Sequence, residues 1–214
     1  MGTLIDTATS YPDTGGTVAV HTFSHICTSA SILFLGFVHY TDNTDDVSAV
    51  TYAGQTMTRI NTVPSASAIG RGYLYYLSNP PAGSNTVSIT LTGARLCYAA
   101  SVSYRASAST IDSSNTGSSA SSASFTISTT TVAPSTWVVS CFYDFSGRIK
   151  TAGVNTTERI NQGAVGGVMF CDSNTTENPA GSYSQNITET AGDLGGSIAS
   201  FAAQASSAAI MLFI

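Results

Sequence analysis

The strongest constraint on this chain is a period-two alternation of apolar with small or polar residues, recurring along its length with almost no competing 3.6-residue period. "RLCYAASVSY" places Leu96, Tyr98, Ala100, Val102 and Tyr104 on one face and small residues on the other. "TVSITLT" turns Val87, Ile89 and Leu91 inward and Ser or Thr outward. In "TWVVSCFYDF", Trp137, Val139, Cys141 and Tyr143 oppose Val138 and Phe142, so both faces are apolar. Successive side chains of a strand point to opposite faces, so this period selects strands that are half-buried or lie inside a sandwich. The expected fold class is all-β, with sheets packed face to face. "VTYAGQTMTRI" predicts a hairpin, in which a two-residue turn at Ala53-Gly54 sets Val50 opposite Met57 and Tyr52 opposite Gln55; a bulged turn using Gly54 is the alternative.

The strands recur in order. Arg-Ile-Asn stands at 59–61 and again at 159–161. Each tripeptide is preceded by a hydrophobic strand ("ILFLGFVHY", "WVVSCFYDF") and, before that, by a Thr-rich one ("TVAVHTFSHI", "SFTISTTTV"). Each is followed by an apolar strand ("GYLYYL", "GGVMFC"), a Pro-Ala-Gly turn, and "SNTVSIT" or "SQNITET". Each half then closes on an apolar strand, "CYAASVSY" or "AAIMLFI". This agreement predicts an internal duplication, with a first copy over about 17–106 and a second over about 123–214. The Ser-rich run at 107–124 reads as a flexible connector. A single sandwich domain spanning 1–214, in which the halves complete one another, is expected over two independent sandwiches joined at the connector. Glu189 falls where the first copy has Ile89, which marks that strand as a candidate sheet edge. "SIASFAAQASSAAIM" has a helix, with Ile198, Phe201, Ala205 and Leu212 on one face, as its alternative.

Composition narrows the function. Of 214 residues 43% are hydrophobic, enough for a core, and only 9% are charged, with a net charge of −5. Lys150 is the sole lysine, so there is no basic stripe for nucleic acid and no polybasic patch for a membrane surface. The apolar run Ile32–Val38 is too short to span a bilayer as a helix. The opening "MGTLIDTATSYPDTGG" has neither the basic nor the apolar segment of a secretory signal, so synthesis in the cytoplasm is expected. Cys27, Cys97, Cys141 and Cys171 lie far apart and mostly in apolar runs, which predicts reduced thiols packed as small hydrophobes and disfavours zinc.

Candidate sites are few. His21 and His25 share a strand face with Phe23, but four residues of strand hold them about 13–14 Å apart, too far for one metal ion. They read as polar residues of an outer or lumenal face, and His39 joins neither. Asp42, Asp45 and Asp46 in "YTDNTDD" are the one weak calcium candidate; a turn rich in Asp and Asn is the competing explanation. Tyr73, Tyr75 and Tyr76 alternate faces in "GYLYYL", so at least one is expected at the surface as a contact for a glycan or an interface, while buried packing is the favoured reading for any one of them. No nucleophile with an activating partner and no acid/base pair can be assembled from the sequence, including Glu158, Glu177 and Glu189. No enzyme activity, catalytic residue or cofactor is expected.

The stretch "VTYAGQTMTRI…GRGYLYYLSNPPAGSNTVSITLTGARLCYAASVSYRAS" resembles a repeat of tailed-phage virion proteins and some bacterial surface proteins, closely over 50–105 and loosely in the second half. That resemblance implies a jelly-roll type of two-sheet antiparallel sandwich, here of roughly 12–14 short strands in two similar halves. It implies a virion building block, either a capsid-surface decoration protein or a fibre component, with copies of itself and other virion proteins as partners. The alternative is a carbohydrate-binding module or adhesin recognising a host-surface glycan. Neither nucleic acid nor membrane is an expected partner.

Overall fold

The computed structural model describes residues 4–11, 16–105, 107–162 and 167–203. Every regular element among them is a β-strand: β1 Ile5–Ser10, β2 Val18–Cys27, β3 Ile32–Tyr40, β4 Val47–Tyr52, β5 Gln55–Thr56, β6 Thr58–Pro64, β7 Gly70–Ser78, β8 Gly83–Arg95, β9 Cys97–Tyr104, β10 Ser107–Thr130, β11 Thr136–Asp144, β12 Thr151–Ala152, β13 Thr157–Asn161, β14 Gly167–Asp172 and β15 Ser182–Ala203. All pairings between them are antiparallel. The protein is an all-β sandwich. The order is β1-β9-β3-β7-β6 in one sheet, β2-β8-β4-β5 in the second and β10-β15-β11-β14-β13 in the third, where β12 also pairs with β15.

The pairing pattern repeats. Strand β3 lies between β9 and β7, with β6 beyond; β11 lies between β15 and β14, with β13 beyond. Phe23 faces Val87 in the first half, as Phe125 faces Ile187 in the second. Thr51 faces Ser88, as Thr151 faces Thr188. The Arg-Ile-Asn tripeptide has a structural counterpart: the register of β6 against β7 shifts between Arg59 and Asn61, and that of β13 against β14 between Glu158 and Ile160. Each copy carries a bulge at this point, one extra residue that bends the strand and re-aims its side chains.

The halves differ in continuity. Strands β1 and β2 are separate, as are β8 and β9; their counterparts are joined into the 24-residue β10 and the 22-residue β15. This pair folds over on itself. Its register breaks between Ser119 and Ser124, Ser121 has a φ of 51°, and Ser113 Oγ comes within 2.8 Å of Thr129 Oγ1. The Ser-rich run expected to be a flexible connector is therefore an edge strand. A serine-rich composition suits a linker and a polar strand equally well, and only pairing with β15 separates the two. Nor is Glu189 on an edge: β15 runs between β10 and β12. The segment Ser197–Ala203 is strand rather than helix, and it closes the second copy where "AAIMLFI" was expected to; that heptapeptide lies outside the described residues.

Alternation within the strands generates three cores rather than the one expected of two sheets. Leu33, Leu35, Phe37, Tyr73 and Cys97 face Phe23, Val50, Tyr52, Val87 and Ile89 inside the first copy. Phe125, Ile127 and Ile187 face Val138, Phe142, Met169 and Ile198 inside the second. The opposite faces of β3, β7 and β9 pack on those of β11, β14 and β15 through Phe34, Leu74, Tyr104, Trp137, Val139, Phe170 and Phe201. The rings of Phe34, Tyr104 and Phe201 meet with centroids 5.3–5.9 Å apart, edge-on or tilted, the arrangement that the ring quadrupole favours. The inner strands thus have two buried faces, which is why β11 is apolar on both sides.

The Ala53-Gly54 turn is the two-residue form: Tyr52 pairs with Gln55, the Met57 amide donates to Val50 O at 2.9 Å, and both turn residues have positive φ (51° and 76°). All four cysteines are free and buried.

Candidate functional site

The acidic loop between β3 and β4 is closed by arginines from two other strands. Arg95 donates from Nε to Asp46 Oδ2 at 3.0 Å and from Nη2 to Asp42 Oδ2 at 3.2 Å. Arg59 reaches Asp45 Oδ2 at 2.6 Å, and its Nε donates to the Tyr75 hydroxyl at 2.8 Å. The Arg59 guanidinium lies over the rings of Tyr73 and Tyr75, at 5.4 and 5.6 Å. His39 Nε2 sits 3.2 Å from Asp46 Oδ1 and 3.1 Å from the Tyr73 hydroxyl; burial lowers its pKa against the pull of Asp46. Each aspartate answers a cation of the chain: Asp42 and Asp46 share Arg95, and Asp45 turns to Arg59. Among the described residues, no three His, Cys, Asp or Glu side chains converge as metal ligands.

Of Tyr73, Tyr75 and Tyr76, at least one of which is expected at the surface, two are internal. Tyr73 stacks on Phe37 with centroids 4.7 Å apart, and both it and Tyr75 are buried; Tyr76 is half-buried against the central core. Three of the four residues after Gly72 pack inward because β7 has a core on each side.

His21 and His25, expected on an outer or lumenal face, are both buried and point inward with Phe23. His25 sits in a closed hydroxyl network. Its Nδ1 lies 2.8 Å from Ser101 Oγ, and its Nε2 lies 3.1 Å from Ser103 Oγ and 3.0 Å from Thr7 Oγ1. Ser103 Oγ donates to Asp6 Oδ2 at 3.3 Å. Burial raises the Asp6 pKa, but the hydroxyl and amide of Thr28 outweigh it and hold the carboxyl below its usual range. Burial drives His25 down to about 4 against the attraction of Asp6. Serine, histidine and aspartate are all present, but in the wrong order for acyl transfer. In a nucleophilic triad the acid orients the base through its second ring nitrogen; here that nitrogen faces Ser101 and the acid faces the serine. With His25 and Ser103 fully buried, the network ties β1 and β9 to β2 across the two layers of the first copy. Sequence reasoning missed it, although Ser101 and Ser103, alternating with Ala100 and Val102, were its visible signal.

A second set of polar contacts joins the copies. Tyr104 of β9 donates to Asp172 Oδ2 of β14 at 3.0 Å, and Arg159 grips the same carboxylate with Nε at 2.6 Å and Nη2 at 2.8 Å. The Asp193 carboxylate accepts from Ser65 Oγ at 2.7 Å and from the Ser67 amide at 2.8 Å. Gln162 Nε2 donates to Tyr11 O and Ala99 O at 2.8 and 3.0 Å. The two Arg-Ile-Asn arginines have thus diverged: Arg59 packs over tyrosines of its own copy, whereas Arg159 is bound beside the other copy.

One open, mostly polar cleft of about 380 Å³ lies on the second copy, lined by Asn155, Thr175, Glu177, Tyr183 and Gln185 among others. Burial raises the pKa of Glu177 there. Comparison of the chain with protein-family models, with curated proteins and with solved structures gives no match.

Proposed function

We propose that the protein is a non-enzymatic structural subunit of a tailed-phage particle, a capsid-surface decoration or fibre component that assembles with copies of itself and with other virion proteins. The observation that carries this is where the reactive groups lie: His25, Ser103, Asp172, Arg159 and Asp193 are tied into contacts between layers. Buried, fully bonded polar networks rigidify and register a fold. The resemblance of 50–105 to virion repeats points the same way. The outer face of β2, the edge strand of its sheet, presents Val18, Val20 and Ile26, which are 42%, 51% and 49% exposed, with Thr22 and Ser24 between them. Exposed edge strands and apolar side chains are what symmetric subunit contacts use. Electron microscopy of intact particles carrying a labelled subunit is the test. Label at regular sites on the capsid surface or a fibre is expected, and particles without the subunit overturn the proposal.

The cleft at Tyr183 favours one second reading, a glycan-binding module. A half-buried tyrosine beside Asn, Gln and Glu side chains offers a ring to stack on a sugar and amides to bond its hydroxyls. Glycan-array binding that disappears in Tyr183→Ala would support it over the structural subunit.

A further inference from the structure

We propose that Lys150 and Glu189 form an internal amide cross-link, made by condensation of the lysine amine with the glutamate carboxyl in the core of the second copy. The duplication makes this pair conspicuous. In the first copy Val50 faces Ile89 across the β4–β8 ladder, one step from the Thr51–Ser88 pair. In the second copy Thr151 faces Thr188 and Ala152 faces Ile187. Lys150 directly precedes Thr151 and Glu189 directly follows Thr188, so an unbroken register would set the two opposite one another. An apolar cross-strand pair has become the chain's sole lysine and a glutamate at equivalent positions. Directly opposed residues of antiparallel strands have Cβ atoms about 4.5–5.5 Å apart, within reach of one another's side chains.

The surroundings are those of a core. Lys150 is 1% exposed, and its Nζ has no hydrogen-bond partner. Both carboxylate oxygens of Glu189 are likewise buried without a partner. Alternation puts the two side chains on the same face as Ile187 and Ala152, which belong to the second-copy core. An unpartnered buried ammonium or carboxylate is among the costliest arrangements a fold can hold, and an amide removes both charges. Burial lowers the pKa of Lys150, and burial together with the Asp144 charge raises that of Glu189 to about 7. Both shifts favour the reactive forms, a neutral amine and a protonated acid.

Asp144, fully buried at the end of β11 opposite Leu194, is the carboxylate whose charge acts on both Lys150 and Glu189, and it is assigned as the third group. Its carboxylate is fixed by the amides of Ser146, at 2.7 Å, and Arg148. The Lys150 Nζ lone pair attacks Glu189 Cδ and the C–N bond forms. The nitrogen gives up a proton to the Asp144 carboxylate, which passes it to the departing hydroxyl; the C–OH bond breaks and one water leaves. Nothing is oxidised or reduced, and no co-reactant is required. Holding amine and acid together in a closed site replaces a bimolecular encounter, for which effective molarities of about 10⁵ M or more are attainable.

Intact-mass spectrometry of the full chain tests this. The wild type is expected to lack the mass of one water, and proteolysis should yield a branched peptide joining the Lys150 and Glu189 segments. The denatured wild type should react with amine reagents only at its N-terminus. The double variant Lys150→Val with Glu189→Ile, which restores the first-copy pair and so preserves folding, should carry its full mass. A wild type at full mass with a reactive Lys150, or a water loss mapped elsewhere, overturns the proposal.

Discussion

Gly36 of β3 lies directly against Cys141 of β11: a Cβ on Gly36 would fall 2.2 Å from the Cys141 Sγ and 3.0 Å from the Phe170 ring. Gly72 is in the same position against the Tyr143 ring, where a Cβ would come within 2.4 Å. Two glycines of the first copy thus admit two side chains of the second, and this fixes the spacing of the layers that meet in the central core.

Gly36→Ala is therefore expected to destabilise the protein by about 1–3 kcal/mol, through overpacking between sheets that cannot separate without opening the central core. Gly93, with no atom within 4 Å of an added Cβ, is the control. Gly93→Ala should change stability by no more than about 0.5 kcal/mol. Urea unfolding of the two variants checks the difference.

The repeated Arg-Ile-Asn provides a within-molecule comparison. Arg159 holds Asp172, whose side chain is 0% exposed, whereas Arg59 and Asp45 are both about a third exposed. Arg159→Ala leaves a buried carboxylate without its cation and should cost about 3–5 kcal/mol. Arg59→Ala loses an open ion pair and a cation–π contact and should cost about 1 kcal/mol. Equal losses in denaturant titration would show that the buried carboxylate does not depend on its arginine.

His25 predicts how stability responds to acid. Its imidazole has a pKa of about 4 when folded, against 6.5 when free. Between these values the unfolded chain binds the extra proton, so stability is full above pH 6.5 and falls as the pH drops toward 4. The contribution is about 3 kcal/mol. His21 and His39 are shifted the same way, whereas a free Glu189, raised to about 7, would act oppositely. The wild type minus His25→Gln, followed by unfolding from pH 7 to 4, isolates the His25 share; parallel curves would mean that the ring is not held neutral.

Much of this architecture is visible in the one-dimensional pattern. The two apolar faces of Trp137–Tyr143, the inward set Val87, Ile89 and Leu91, and the Ala53-Gly54 turn depend on local alternation and turn chemistry, which sequence carries directly. The duplicated order of strands is visible for the same reason. What depends on long-range pairing is not. Ser113–Ser124 is a strand only because β15 lies beside it, and Tyr73 and Tyr75 are interior only because sheets cover both faces of β7. The partners of Asp42, Asp45 and Asp46 come from β6 and the end of β8, far along the chain. Glu189 stands out against Ile89 in the sequence, but its relation to Lys150 emerges only when β12 is paired with β15.

Under the proposed assembly, the exposed Val18, Val20 and Ile26 of β2 are where copies would meet. Val20→Lys with Ile26→Lys places charges on the outer face, opposite the packed side that carries Phe23 and His25, so the fold should keep its stability to within about 0.5 kcal/mol per site. Association between copies should weaken, because burying an unpaired lysine opposes the contact. Sedimentation velocity of the wild type and the variant checks this; an unchanged distribution would place the contact elsewhere.

Light scattering on the purified chain is the most direct test of the proposal that it assembles as a structural subunit. A stable oligomer of fixed copy number that binds no glycan is the predicted result. A monomer at high concentration that binds a glycan through the Tyr183 cleft would contradict it.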